Sequence, residues 1–194
     1  MVAAGAARDG EIIIAESQTA GRGRYGRKFF SPPGGGVYLS AVLCLEKLPA
    51  GEPALITALA AVSVCEALEA VTGKSPRIKW VNDIFLDGKK ICGILTETVT
   101  EPGSGQRFAV VGIGVNLFMP EEGFPEELKG IAGAVYPFTA RSEPDLASAV
   151  KNRVIAEIIN RAAGFGDSRG AVYTIETMDK YRKRLITPGE TTLP

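Results

Sequence analysis

The chain contains 194 residues, of which 45% are hydrophobic and 23% charged, an ordinary composition for one globular domain. Its 22 basic and 22 acidic side chains cancel, which argues against a surface devoted to nucleic acid, because such surfaces carry an excess of Lys and Arg. Histidine is absent, which excludes His-based catalytic triads and His zinc sites.

The first part of the chain is predicted to form two strands, separated by a long polar segment, and then a helix. Residues 11–16 and 37–45 are apolar and rich in β-branched side chains, so both favour strands. Residues 17–36 are polar and rich in Gly, and a connection of that length is typical of a functional loop. Residues 53–71 are predicted to be a buried helix, because Pro lies in the first turn and Ala and Leu dominate.

The second part is predicted to complete a sheet and to add two helices. Asp87-Gly88 is a hairpin turn signal. The predicted elements are extended segments at 77–80 and 83–86, strands at 90–99 and 107–117, and helices at 143–163 and 169–185. Together these elements predict a single α+β domain over residues 1–194, with a mixed, mostly antiparallel sheet and helices packed on one side.

Cysteine usage and hydropathy indicate a cytoplasmic protein with no membrane partner. Cys44, Cys65 and Cys92 have no metal-ligand spacing, and we expect buried thiols in a reducing compartment. The longest uncharged apolar run, residues 54–65, is shorter than the ~20 residues that span a bilayer. No basic segment leads into an apolar one near the N-terminus, so no secretory signal is predicted.

The segment at residues 21–28 concentrates positive charge among glycines. Arg22, Arg24, Arg27 and Lys28 lie within seven residues and have no acidic neighbour among them. Arginine presents forked donors that match phosphate and carboxylate oxygens, whereas glycine lets the backbone close tightly on a ligand. A flexible basic loop is the alternative, but the aromatic pair that follows at residues 29–30 favours a binding site.

Lys79 and a later pair of glycines are the other candidates. Lys79 lies between apolar neighbours on a predicted strand, so it points either to solvent or into a ligand cavity. Gly112, Gly114 and Asn116 share one strand face, and glycines there suggest the close approach of a ligand. Bulges or tight packing are the alternative, and Gly93 on the preceding strand makes the same suggestion.

Five segments in this order and spacing resemble the catalytic core of biotin–protein ligases, strongly over residues 10–117 and weakly over 143–185. They are Gln-Thr-Ala-Gly-Arg-Gly-Arg-Tyr-Gly-Arg-Lys at 18–28, Ser-Pro-Pro-Gly-Gly-Gly-Val-Tyr-Leu-Ser at 31–40, Lys-Trp-Val-Asn-Asp at 79–83, Gly-Lys-Lys-Ile-Cys-Gly-Ile-Leu-Thr-Glu at 88–97 and Gly-Ile-Gly-Val-Asn at 112–116. The resemblance implies the fold that biotin and lipoate ligases share with class II aminoacyl-tRNA synthetases.

The resemblance also implies roles for particular residues. Arg24 and Lys79 are the implied catalytic cations, with Lys79 near the reacting carboxylate and the α-phosphate. Phe29 would enclose adenine, where the family more often has Trp, and Asn116 would lie near the phosphates and magnesium. The implied biotin-binding residues are Gln18, Arg22, Gly23, Arg24, Lys79, Gly112 and Gly114, and the implied ATP-binding residues are Arg24, Phe29, Lys79 and Asn116.

The implied activity is ligation of biotin to a lysine of a biotin carboxyl carrier protein, through biotinyl-5'-adenylate, with ATP and Mg²⁺. No Ser-Thr-Asn segment lies between Met1 and Gly10, and no small β domain is recognised near the C-terminus, so we expect a chain incomplete at both ends. The alternatives are a lipoate or octanoate ligase of the same fold, or an inactive ligase fragment. A nucleic-acid-binding module is disfavoured by the neutral charge, and a homodimer is left open.

Overall fold

A computed structural model describes residues 8–48, 52–142, 144–162 and 170–186, and its strands form a single six-stranded sheet. The strands are β1 (Ile12–Ala15), β2 (Gly36–Cys44), β3 (Arg77–Lys79), β4 (Asp83–Leu86), β5 (Lys89–Thr100) and β6 (Arg107–Asn116). The helices are α1 (Pro53–Thr72), α2 (Pro144–Ala162) and α3 (Gly170–Arg184). The strand order is β1-β2-β6-β5-β4-β3.

Every pair of neighbouring strands is antiparallel, which confirms the predicted α+β class. Parallel pairing occurs among the described residues only in isolated bridges, such as the one between Ile78 and Leu185. The predicted helix ends at residues 143, 163 and 169 lie outside the described residues.

The first helix begins and ends where its sequence signals place it. Pro53 occupies the first turn, where its missing N–H costs nothing. Gly73 adopts a left-handed φ of 68° and donates its N–H to the Glu69 carbonyl oxygen at 2.9 Å. This is the left-handed C-cap for which glycine is favoured.

The three helices cover one face of the sheet. On β6, Val111, Ile113 and Val115 alternate into the apolar core that α1 shares with the sheet. Helix α1 packs against β5 and β6, and α2 and α3 pack against α1. The opposite face of the same strands carries Gly112 and Gly114, because successive strand residues point to opposite sides.

Helix α1 is long and apolar enough to cross a membrane by length and composition, with a hydropathy of 1.8 over its most apolar window. Of that window, 67% is buried inside the protein, so packing against the sheet and the other helices accounts for its apolar surface.

The three cysteines are buried free thiols, as predicted. Burial raises the pKa of Cys65 to about 12 and raises the pKa of Cys92 well above its ordinary value. Both thiols are therefore protonated at neutral pH and do not serve as nucleophiles.

Candidate active site

The face of the sheet opposite the helices opens into a cavity of about 740 Å³. Its walls come from the segment after β1, from strands β2, β5 and β6, and from residues 124–132. A volume of this size suits a small-molecule ligand. Eight of the nine site residues named from the sequence line it: Gln18, Arg22, Gly23, Arg24, Phe29, Gly112, Gly114 and Asn116.

The Gly/Arg segment folds into a narrow hairpin over this cavity. Bridges pair Gln18 with Ser31 and Arg22 with Lys28, and the Ser31 hydroxyl donates to Gln18 Oε1 at 2.8 Å. Gly21 lies where the two arms are closest, since a Cβ atom there would come within 2.4 Å of the Phe29 carbonyl oxygen. The segment predicted to be a functional loop is therefore held in shape by contacts between its own two arms.

Two arginines tie the hairpin to the sheet. Arg22 forms an ion pair with Glu97 of β5, and Arg24 Nη1 donates to Asn82 Oδ1 at 2.9 Å. Asn82 in turn donates its side-chain N–H to the Ile94 carbonyl oxygen at 3.0 Å, which fixes its orientation. The guanidinium of Arg24 is thus held at the wall of the cavity by a residue that is itself anchored to β5.

The glycines leave room for an aromatic ring. Gly114 is in register with Tyr38 of β2 on one side and with Gly93 of β5 on the other. A Cβ atom on Gly114 would lie 2.4 Å from Phe29 Cε1, and one on Gly93 would lie 3.3 Å from Phe29 Cε2. The Phe29 ring, expected at the adenine, therefore lies against Gly114, which was expected to bind biotin. We call Gly93, Gly112 and Gly114 the glycine floor.

Lys79 is the exception among the named residues. It is in register with Asp83, so it lies on the same face of the sheet as the glycines. It belongs to edge strand β3, however, where its side chain is exposed and its Nζ lies 5.4 Å from the centre of the Phe85 ring. Lys79, expected beside the reacting groups, does not line the cavity.

Lys90 is the lysine of the strands that lines the cavity. Its Nζ lies 2.7 Å from Asp83 Oδ1, with 29% of the Lys90 side chain and 28% of the Asp83 side chain exposed. It also lies 3.5 Å from the position that a Cβ atom on Gly93 would take. Lys90 and Asp83 both line the cavity.

A β-bulge explains why sequence reasoning missed Lys90. Regular alternation would place Lys90 on the same face as Cys92, which is buried against the helices. The register with β4 shifts between Ile84 and Phe85, which leaves Ile91 as an extra residue and turns Lys90 toward the cavity. The only sequence signal was Gly88-Lys-Lys within the resembling motif.

Asn116 is almost fully buried at the end of β6, with 8% of its surface exposed. Its side-chain N–H donates to the Gly133 carbonyl oxygen at 3.0 Å, so the amide is oriented by the segment after Lys129. This contact places Asn116 at the cavity wall formed by residues 124–132.

The charge on the cavity wall is positive. The basic side chains are Arg22, Arg24, Arg27, Lys28 and Lys90, and the acidic ones are Asp83, Glu97 and Glu127. Within the described ranges no three His, Cys, Asp or Glu side chains are grouped to hold a metal ion. The arrangement suits an anionic ligand that is bound by forked donors and an ammonium group.

A sequence model of the Biotin/lipoate A/B protein ligase family matches residues 4–116, more than half of the chain. The chain belongs to this family. The matched region includes the hairpin, Lys90, the glycine floor and Asn116, and so contains the whole positively charged face of the cavity.

Curated relatives are similar over the same region. The chain is 42% identical over 126 residues to the bifunctional ligase/repressor BirA of Bacillus spizizenii, which covers 65% of this chain and 38% of that protein. It is 37% identical over 128 residues to the biotin–[acetyl-CoA-carboxylase] ligase of Mycobacterium tuberculosis, which covers 64% of this chain and 46% of that protein. The matches thus span less than half of either relative.

Solved structures of biotin protein ligases share the fold. The enzyme from Aquifex aeolicus in complex with biotin and ATP superposes with a TM-score of 0.74 at 26% identity, covering 94% of this chain and 72% of that one. The ligase from Leishmania major in complex with biotinyl-5-AMP gives a TM-score of 0.62 at 20% identity, covering 96% and 76%.

Proposed function

We propose that this chain activates biotin as biotinyl-5'-adenylate and transfers the biotinyl group to a lysine of a biotin carboxyl carrier protein. The observation that carries the proposal is the convergence of Arg24 and Lys90 on one cavity with a glycine floor. Forked and ammonium donors around a cavity of this size suit a small ligand with a carboxylate or phosphate.

Biotin is favoured over lipoate or octanoate, although the family includes ligases for both kinds of substrate. The relative from Mycobacterium tuberculosis and the solved structure from Aquifex aeolicus are biotin ligases by name. The complete Gly-Arg-Gly-Arg-Tyr-Gly-Arg run at 21–27 also supports biotin. Pyrophosphate exchange with each acid distinguishes biotin from lipoate and octanoate.

The first chemical step needs stabilised negative charge more than it needs a base. An oxygen of the biotin carboxylate attacks the α-phosphorus of ATP, and the bond to the bridging oxygen breaks, so pyrophosphate leaves with the electron pair. Arg24 and Lys90 then face the charge that develops on the phosphoryl oxygens and stabilise it electrostatically. Asp83 holds the Lys90 ammonium in position.

In the second step, a neutral lysine amine of the carrier attacks the acyl carbon of the adenylate. The bond from that carbon to the phosphate oxygen breaks, AMP leaves, and the proton of the amine passes to water. Because the adenylate is also open to attack by water, we assign the hairpin that carries Phe29 a second role as its cover.

Magnesium would accompany ATP rather than occupy a site built by the protein. The described acids that line the cavity are not grouped as a metal cage, and Mg²⁺ commonly binds through substrate phosphates and a few waters. When bound, the ion supplies further neutralisation of phosphate charge. The use of ATP and the three free thiols are consistent with a cytoplasmic setting.

The test measures the exchange of labelled pyrophosphate into ATP in the presence of biotin, lipoate or octanoate, each assayed in parallel. We expect exchange with biotin alone, together with calorimetric binding of biotin. Faster exchange with lipoate or octanoate would identify that acid, instead of biotin, as the substrate. No exchange and no binding with any of the three would refute the proposed function.

A further inference from the structure

Three large apolar side chains that line the cavity are also exposed to solvent. The described residues include seven exposed large hydrophobic side chains, and three of these, Tyr25, Trp80 and Ile131, line the cavity. Their exposed fractions are 85%, 73% and 52%. We call these three side chains the apolar rim. Each of them is exposed over more than half of its surface.

Trp80 is exposed and yet held in place. Its ring makes an edge contact with Tyr181 of α3, with centroids 6.2 Å apart and planes at 74°. The Tyr181 hydroxyl donates to the Val81 carbonyl oxygen at 3.0 Å, which anchors the contact to the turn before β4. An exposed apolar side chain that is already fixed loses little conformational entropy when a partner covers it.

Ile131 is tied to the cavity lysine through the backbone. Its carbonyl oxygen accepts the backbone N–H of Lys90 at 2.9 Å, which ties the segment after Leu128 to the start of β5. Trp80 is three residues before Asp83, the ion-pair partner of Lys90. Two side chains of the apolar rim are therefore linked, one through the backbone hydrogen bond and one through the chain, to the Lys90–Asp83 pair, where the acyl group would be activated.

The charge at the same opening suits an acidic partner. Arg27 and Lys28 line the cavity and are exposed beside Tyr25 on the hairpin. Apolar anchors surrounded by charged side chains are the common anatomy of a protein–protein interface.

We propose that the apolar rim is the docking surface for the acceptor protein, an inference that rests on the proposed function. The acceptor lysine must enter through this opening, so the surface around that lysine has to meet the rim. The partner would present its lysine on a segment that projects into the cavity, with apolar side chains facing Trp80 and Ile131. Acidic side chains of that domain would face Arg27 and Lys28.

The experiment compares two nucleophiles that attack the same adenylate. One is a biotin carboxyl carrier domain, and the other is hydroxylamine, which needs no docking surface. The variants are Trp80→Ala and Ile131→Ser, and the matched control is Ile175→Ser, which removes a 65% exposed isoleucine of α3 outside the cavity lining.

We expect each rim variant to raise the KM for the carrier at least about tenfold, the effect of removing an interface anchor. The rise in the KM for the carrier should exceed any change in the rate of hydroxamate formation at least fivefold, and Ile175→Ser should change neither reaction. Unchanged carrier KM in both rim variants would overturn the proposal. Equal loss with both nucleophiles would also overturn it, because the rim would then serve the chemistry or the packing.

Two further outcomes separate the remaining explanations. If sedimentation shows a dimer that Ile131→Ser dissociates while the carrier KM is unchanged, a second copy of the chain covers the rim and the proposal is wrong. If the unsubstituted chain yields no hydroxamate from biotin and ATP, the proposed function fails, and the docking proposal fails with it.

Discussion

The two faces of β6 serve opposite purposes. One face carries Val111, Ile113 and Val115 into the core beneath α1, where apolar burial stabilises the fold. The other face carries Gly112 and Gly114, which bury almost no side chain and leave space above the sheet. Glycine weakens a strand, and β6 tolerates two because it is paired along its length with β2 and β5. The comparison shows that one face of this sheet is packed for stability, whereas the other lacks bulky side chains and so has room for the Phe29 ring and the cavity.

The largest expected effect tests the packed face. Leu68 of α1 is 1% exposed within the core cluster. Leu68→Ala should lower the free energy of unfolding by about 2–5 kcal/mol, because it removes buried methyl groups and leaves a cavity. Urea denaturation measures the change. Gly112→Ala is the control, since a Cβ atom there would meet only the Leu95 carbonyl oxygen at 3.6 Å. Equal destabilisation by both substitutions would contradict the division between the faces.

The next prediction concerns the lysines on the open face. Lys90→Met should lower the rate of biotinyl-adenylate formation at least a hundredfold, roughly 3 kcal/mol, because it removes a cation from the site of developing charge. Lys79→Met is the matched variant, and it should change that rate less than about twofold, as expected of an exposed side chain. Pyrophosphate exchange measures both. The reverse order of effects would restore Lys79 to the catalytic role that the family resemblance implies.

These lysines also show how far the sequence could predict the site. Alternation along β6 is regular, so the shared face of Gly112 and Gly114 was predictable from a period of two. The bulge at Ile91 breaks that period on β5, and no residue type in this segment indicates a bulge. The position of Lys90 therefore depended on how β4 and β5 pair, which a single sequence does not reveal.

The hairpin is a second feature that the sequence predicts only in part. Its glycines and arginines predicted a loop that binds anions, and the sequence resemblance placed it at the active site. Its attachment to the sheet rests on contacts of Arg22 with Glu97 and of Arg24 with Asn82, which are far apart in the chain. The fold class was predictable from the sequence, whereas the strand order and these long-range polar contacts were not.

A smaller effect should follow from filling the space above the floor. Gly114→Ala would place a Cβ atom 2.4 Å from the Phe29 ring, so the ring must move while the sheet stays paired. We expect biotin affinity to fall about tenfold, or 1.4 kcal/mol, with little change in unfolding free energy. Calorimetry measures the affinity, and urea denaturation measures the unfolding free energy. If Gly114→Ala unfolds the protein without a specific binding defect, the glycine serves packing.

The smallest expected effect concerns the ion pair that holds the hairpin to the open face. Arg22 and Glu97 are 69% and 42% exposed, so breaking the pair should change the unfolding free energy by less than about 1 kcal/mol. The Glu97 carboxylate nevertheless competes with an anionic ligand for the Arg22 guanidinium. Glu97→Gln should therefore strengthen ATP binding about twofold to threefold at low salt, and the gain should vanish near 1 M salt, where the screening length is about 3 Å.

Glu46→Gln is the matched control for that change, because the Arg107–Glu46 pair is similarly exposed, at 59% and 45%, and Glu46 does not line the cavity. It should leave ATP affinity unchanged at every salt concentration. Calorimetric titration with ATP measures both variants. Weaker ATP binding by Glu97→Gln would mean that the carboxylate positions Arg22 for the ligand instead of competing with it. The polar contacts of the open face would then be arranged for binding before the ligand arrives, as the apolar contacts of the other face are arranged for stability.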